Sequence, residues 1–234
     1  MATAAGVRDA VAAALGRDEF ALVLGGDCTV GCGTVAGSVR AGGETALVYV
    51  DMHADLNVPA SVPDGALDWM GVAHMLDIDG CRPELAGVGP RRPLLDPAAI
   101  VVLGHEHGQA TAWELAVIAR AGVACIPAER LRVAAAESAA EAIGRLPAGS
   151  TRLLVHLDVD VVDFVDAPLS ENTGRNVGVP LAAALEAIAA LMRDDRVGAL
   201  TVTELNPAHA AADPETLESL CDGIAAAVAT PPSV

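Results

Sequence analysis

Glu44-Thr-Ala-Leu-Val-Tyr-Val50, followed at once by Asp51-Met-His53-Ala-Asp55, is the stretch that decides how this chain reads. Its first half is a short apolar run without alternation of apolar and polar residues, the pattern of a parallel strand buried on both faces. Its second half places three polar side chains just past the strand's end. Working outward, the same arrangement recurs. Phe20–Leu24 leads into Gly25-Gly26-Asp27-Cys28, Leu153–Leu157 into Asp158-Val-Asp160-Val-Val-Asp163, and a run from Val197 ends at Glu204. Two further strands are expected at Ile100–Leu103 and Val123–Ile126. Helices are expected over 3–16, 29–41 (weakened by its glycines), 69–76, 111–121, 128–146, 180–193 and 214–228, a Pro/Asp/Gly-rich loop over 57–68, and a frayed end over 230–234.

Alternating strands and helices define an α/β fold with helices on both faces of one mainly parallel sheet. No linker, repeat or low-complexity block divides the chain, so residues 1–234 read as one domain. In open sheets of this kind ligands bind beyond the carboxyl ends of the strands. Four polar clusters share that address.

Composition narrows the function. The net charge of −17 argues against nucleic acid, which needs clustered cations, and is compatible with a small cationic substrate. No apolar run reaches the ~18 residues of a membrane span, and no signal-peptide pattern opens the chain, so a soluble cytoplasmic protein that does not engage a membrane is expected. Hydrophobic residues make up 53% and aromatics 2%, which predicts an aliphatic core. Five cysteines, at positions 28, 32, 81, 125 and 221, form no Cys-x-x-Cys pair and no expected disulfide framework.

Residues two apart in an extended chain point the same way, so Asp51, His53 and Asp55 can face one site. Carboxylate with imidazole suits Mn²⁺, Fe²⁺ or Zn²⁺. A polar strand end with a capping Asp is the plain alternative. Asp158, Asp160 and Asp163 repeat the theme after a strand that should be buried. Like charges so close are costly without a cation, and the offsets do not match a calcium loop. A solvated turn is the alternative there. Together the clusters suggest two ions, typically ~3.5–4 Å apart and activating a shared water.

These motifs, GGDCTV, DMHADLN, HLDVDVVD and the late TELNP, resemble in order and spacing those of the ureohydrolase family of arginases, agmatinases and formiminoglutamases. The resemblance runs from about residue 22 to the end. It implies the arginase-like three-layer α/β/α sandwich and manganese-dependent hydrolysis of a guanidino C–N bond, releasing urea or hydroxyurea and an amine. One Mn²⁺ would be held by the Cys28 position, Asp51, Asp55 and Asp158, and a second by Asp51, His53, Asp158 and Asp160. Glu204 would face the substrate guanidinium, with an ion pair at a strand end as the alternative. Asn57 would contact the substrate's far end, unless it caps its own turn. Asp160 would steady the intermediate and carry a proton to the leaving amine. Relatives are commonly trimers or hexamers, so a homo-oligomer is expected.

The chain also departs from the family. Cys28 stands where the family has His. A soft ligand for a hard ion, it is expected to bind as thiolate, its pKa lowered by a helix N-terminus and nearby cations. That change points toward a substrate other than plain arginine, such as an N-hydroxyguanidine, and so toward a hydroxyarginine-hydrolysing branch. Asp68 replaces a proton-shuttling His, making it an acidic shuttle, with His74 nearby as a structural residue. His105 and His107 occupy a region where the family has Gly-x-Arg. Only 24 residues precede Gly25, so the N-terminus is short and an exposed sheet edge is expected. The competing reading is a catalytically impaired member acting as a regulatory or assembly subunit.

Overall fold

The computed structural model describes residues 2–229, and the expectation for 230–234 lies outside them. The apolar runs form β1 (Ala21–Leu24), β2 (Thr45–Val50), β3 (Ile100–His105), β4 (Ala124–Pro127), β5 (Arg152–Asp158) and β6 (Val197–Thr203). They stand in the order β1-β6-β5-β2-β3-β4, and each pairing is parallel. Every residue of β2 and β3 is buried, as their unbroken apolar character predicts. From β2 the chain moves outward through β3 and β4, then returns to the other side of β2 with β5 and moves outward to β6. The sheet therefore has its switch point between β2 and β5, where a crevice opens beyond the strand ends.

Side chains along the central strands alternate between two cores. Leu47, Leu154 and Ala199, neighbours across β2, β5 and β6, point into one; Val48, Val155 and Leu200 point into the other. The first core is closed by α1 (Ala2–Leu15), α2 (Val30–Ala41), α3 (Gly71–Met75), α4 (Pro83–Ala86) and α5 (Ala112–Ala121). The second is closed by α6 (Ala128–Val133), α7 (Ala135–Arg145), α8 (Leu181–Leu191) and α9 (Pro214–Ala229). This is the three-layer α/β/α sandwich.

The glycines that weaken α2 as a helix are where it touches α1. A Cβ on Gly33 would lie 2.5 Å from the Ala4 carbonyl oxygen, and one on Gly37 2.7 Å from that of Arg8. Each glycine costs roughly 1 kcal/mol of helix propensity, offset by backbone-to-backbone packing. The helix expected over 128–146 is instead two. It breaks at Ala134 (φ −152°, ψ 66°), although the surrounding alanines favour helix. Packing sets the break: Leu131 docks beneath Gly104 at the end of β3, while α7 runs along α8. Strand β3 extends two residues beyond its expected end, through Gly104 and His105. The short helix α4, opened by Pro83 at its first position, was not anticipated. Strand β1 forms one edge of the sheet, and Leu24 on it is 73% exposed. Among the described residues no helix is long and apolar enough to cross a membrane.

Candidate metal centre

The four strands that carry the polar clusters are adjacent, and being parallel they deliver those clusters to one edge. Asp51 follows β2, Asp158 ends β5, Glu204 follows β6, and Gly25-Gly26-Asp27-Cys28 links β1 to α2. Asp158 caps a tight turn, its Oδ1 accepting from the Asp160 N–H at 2.7 Å. Asp51 does the same for His53, at 2.6 Å. Asp55 (φ 52°) and Glu204 (φ 59°) are held in the left-handed region, a strained conformation for a residue with a Cβ that tends to cluster at functional sites.

The acidic and ligating side chains gather into groups whose donor atoms lie within 4.8 Å of one another: Asp51, His53 and Asp160; Cys28, Asp51 and Asp55; and Cys28, Asp158 and Glu204. Asp51 belongs to two of these groups. His53 Nδ1 lies 3.2 Å from Asp160 Oδ2 and 3.5 Å from Asp51 Oδ1. Cys28 Sγ donates to Asp158 Oδ2 at 2.9 Å. Tyr49, fully buried, donates its hydroxyl to Asp55 Oδ2 at 2.6 Å, and Asn172 Nδ2 donates to Asp160 Oδ2 at 3.1 Å. Two buried oxygens, Asp51 Oδ2 and Asp160 Oδ1, have no hydrogen-bond partner. Buried polar atoms are nearly always satisfied, so oxygen atoms left free on two residues of the group around His53 fit a bound divalent cation there.

The electrostatics agree. Burial, and next Asp160, pushes Asp51 up to about 7. Asp55 and Asp158 are pushed well above the usual carboxylate range, by burial first and then by Asp51 and Asp160 respectively. Burial alone would also raise Asp160 and lower His53, but their mutual attraction outweighs it and shifts each the other way. Four carboxylates this close need positive charge to stay ionised. Without an ion beside it, the Cys28 thiol is pushed well upward, by burial first and then by Asp158, Asp55 and Asp51. A coordinated cation is what would reverse that, since a ligating thiol loses its proton.

Above the clusters lies a cleft of about 320 Å³ lined by His53, Asp68, Trp69, Gln109, Asp158, Asp160, Glu171, Asn172 and Glu204. None of these is Lys or Arg. Glu204 Oε1 accepts from the Cys28 N–H at 3.1 Å, and burial, helped by Asp68, pushes its carboxyl up to about 7. Burial also raises Asp68. The Trp69 ring lies nearly parallel to His53, 6.2 Å between centroids. Asn57 stands apart. It is buried, and its Oδ1 accepts from Ser61 and Thr111, which organises the loop. His105 is buried at the end of β3 and His107 is exposed; neither lines the cleft. His74 is buried in α3, its Nδ1 2.6 Å from the Met70 carbonyl oxygen.

Sequence reasoning missed Gln109, Glu171 and Asn172, which arrive on loops, and Tyr49, His156 and Thr203 beneath the ligands. For the last three a signal was present: polar side chains inside strands read as buried.

The arginase family's sequence profile matches residues 2–229. The chain is 28% identical over 223 residues to an arginase of Eremothecium gossypii, covering 93% of this chain and 54% of that protein. It is 25% identical over 216 residues to the mitochondrial arginase-2 of Homo sapiens, covering 88% and 58%. It thus spans about half the length of these curated relatives. A solved arginase from Bacillus subtilis superposes with a TM-score of 0.87 at 21% identity, over 97% of this chain and 77% of that one, a likeness of fold.

Proposed function

The chain is a member of the arginase family, and from that premise we propose that it hydrolyses a C–N bond of a guanidino-type substrate with two divalent cations. The substrate would be arginine-like, agmatine-like or an N-hydroxyarginine, and the products urea or hydroxyurea and an amine. The observation that carries this reading is the pair of ligand groups sharing Asp51 beneath a cleft without a basic lining residue.

Cys28, Asp51, Asp55 and Asp158 would hold one ion, and Asp51, His53, Asp158 and Asp160 the other, with Mn²⁺ suited to the oxygen and imidazole donors around His53. Bound there, two cations supply Lewis acidity and a water acidic enough to ionise near neutral pH. The chain's own groups do the rest. Glu204 pairs with the guanidinium, the geometry in which a carboxylate binds most strongly. The Trp69 face offers a cation–π contact beside it. Asp160, held by His53 and Asn172, carries the proton to the leaving amine. Asp68, raised by burial, serves as its relay to solvent.

The test is turnover of a panel of guanidines and N-hydroxyguanidines by the Mn²⁺-loaded protein, with urea or hydroxyurea measured. Release from at least one substrate, reduced by ~10²–10⁴-fold in Asp160→Ala, is the expected result. A second reading, an impaired family member acting as a regulatory or assembly subunit, is favoured by Cys28, whose thiol already engages Asp158. Ion content separates the two: about two ions per chain support the hydrolase, one or none the impaired member.

A further inference from the structure

The two ends of the centre are built from different chemistry. The His53 end offers carboxylate and imidazole, while the Cys28 end offers sulfur with the carboxylates of Asp51 and Asp55. Cys28 is fully buried, and its sulfur is held from several sides. Besides Asp158 Oδ2, Sγ lies 3.1 Å from Thr203 Oγ1 and 3.4 Å from His156 Nε2. Thr203 Oγ1 and His156 Nε2 are themselves 2.9 Å apart.

These two residues are placed there by the sheet. His156 lies on β5 two positions before Asp158 and so shares its face. Thr203 on β6 sits directly opposite Asp158. The imidazole stacks on Tyr49, 4.2 Å between centroids at 16°, and Tyr49 in turn holds Asp55. Space for the ring comes from Gly31 of α2, where a Cβ would lie 2.8 Å from His156 Nδ1. A neutral imidazole and a hydroxyl gripping a candidate ligand are the outer contacts that orient metal ligands and tune what they bind. Cys32, one helical turn on and equally buried, instead directs its sulfur to a backbone carbonyl oxygen, that of Gly71 at 3.4 Å.

We infer that the Cys28 end is a sulfur-bearing site that takes a thiophilic divalent ion, Zn²⁺, Co²⁺ or Fe²⁺, in preference to Mn²⁺. His156 and Thr203 are the positioning residues for its sulfur. Thiolate selects such ions, and Mn²⁺ is the weakest binder of the first-row series. The centre is then mixed, with a soft end and a hard end joined through Asp51. This inference rests on the two-ion reading above.

The test uses the full chain, stripped by chelator and reloaded. With Zn²⁺ alone, X-ray absorption of the unaltered protein should show a sulfur neighbour at ~2.3 Å. With Co²⁺ alone, a sulfur-to-cobalt charge-transfer band should appear in the near ultraviolet and be lost in Cys28→Ser. In mixtures of Zn²⁺ and Mn²⁺, elemental analysis should find one zinc retained per chain against excess manganese. His156→Gln and Thr203→Val should keep the sulfur neighbour and weaken zinc binding by about 10–100-fold. Two bound ions with only nitrogen and oxygen neighbours would overturn the inference and leave the hydrolase reading standing. A band that persists in Cys28→Ser would assign the sulfur to another cysteine and overturn it equally. Failure to bind any ion would remove the two-ion reading and this one with it. The absorption measurement needs no variant, so a poorly folding Cys28→Ser does not spare the inference.

Discussion

Tyr49 is the chain's single tyrosine, and its hydroxyl is directed at a buried carboxylate. Removing that hydroxyl leaves Asp55 short of a donor at no cost in shape. Tyr49→Phe should therefore lower stability by about 1–3 kcal/mol in urea denaturation of the ion-free protein. It should also weaken binding at the Cys28 end by about 10–100-fold, and an unchanged titration would show that Tyr49 does not support that end. What could be read in advance at this scale follows the same logic. Asp51, His53, Asp55, Asp158 and Asp160 stood out because polar residues recur at alternate positions just past two apolar runs, a repetition that a single capped strand end or solvated turn does not require. His156 and Thr203 carried a signal too, as polar side chains inside strands read as buried, but one that shows a need for partners without showing which partners the neighbouring strands supply. Asn57 read either as a substrate contact or as the cap of its own turn, and its Oδ1 accepts from Ser61 and Thr111.

Helices α1 and α2 meet through glycine, and the position of Cys28 depends on that contact, because α2 begins two residues after it, at Val30. Gly33→Val would force a side chain against the Ala4 carbonyl oxygen and Val7. It should destabilise the protein by about 1–3 kcal/mol, measured as a shift in urea midpoint, and should disturb ion binding more at the Cys28 end than at the His53 end. Equal loss at both ends would mean that α2 does not set the position of Cys28. At the level of elements the six strands were legible in the sequence, because unbroken apolar runs of this length fit parallel strands buried on both faces. Boundaries were less so. The break at Ala134 answers to tertiary packing of Leu131 and α7 and leaves no mark on a run of alanines. The loop carrying Glu171 and Asn172 has no period at all, so its arrival over the cleft could be known only from the folded chain.

Across the whole molecule, acidity is concentrated where the fold can least solvate it. Asp51 and Glu204 are each raised to about 7 in the folded protein, from ordinary values of 3.8 and 4.5. Between those limits the folded state holds more protons than the unfolded one, so stability must fall as pH rises. The ion-free protein should keep this contribution fully below pH 3.8 and lose it as pH passes through about 7. Divalent ions displace the same protons, so the stabilisation they give should grow over the same window. Urea midpoints across pH, with chelator and with Mn²⁺, check this; an ion effect independent of pH would contradict it. The strand order also has a consequence for how the protein is made. Cys28 and Glu204 touch across 176 positions of sequence, and β1 finds its neighbour only in the last strand. A ribosome must therefore deliver β6 before the Cys28 end of the site can form, whereas the pairing of β2 with β5 can bring Asp51, His53, Asp158 and Asp160 together earlier. The two ends of the proposed centre would thus take shape at different times, the His53 end with β5 and the Cys28 end only once β6 has joined the sheet.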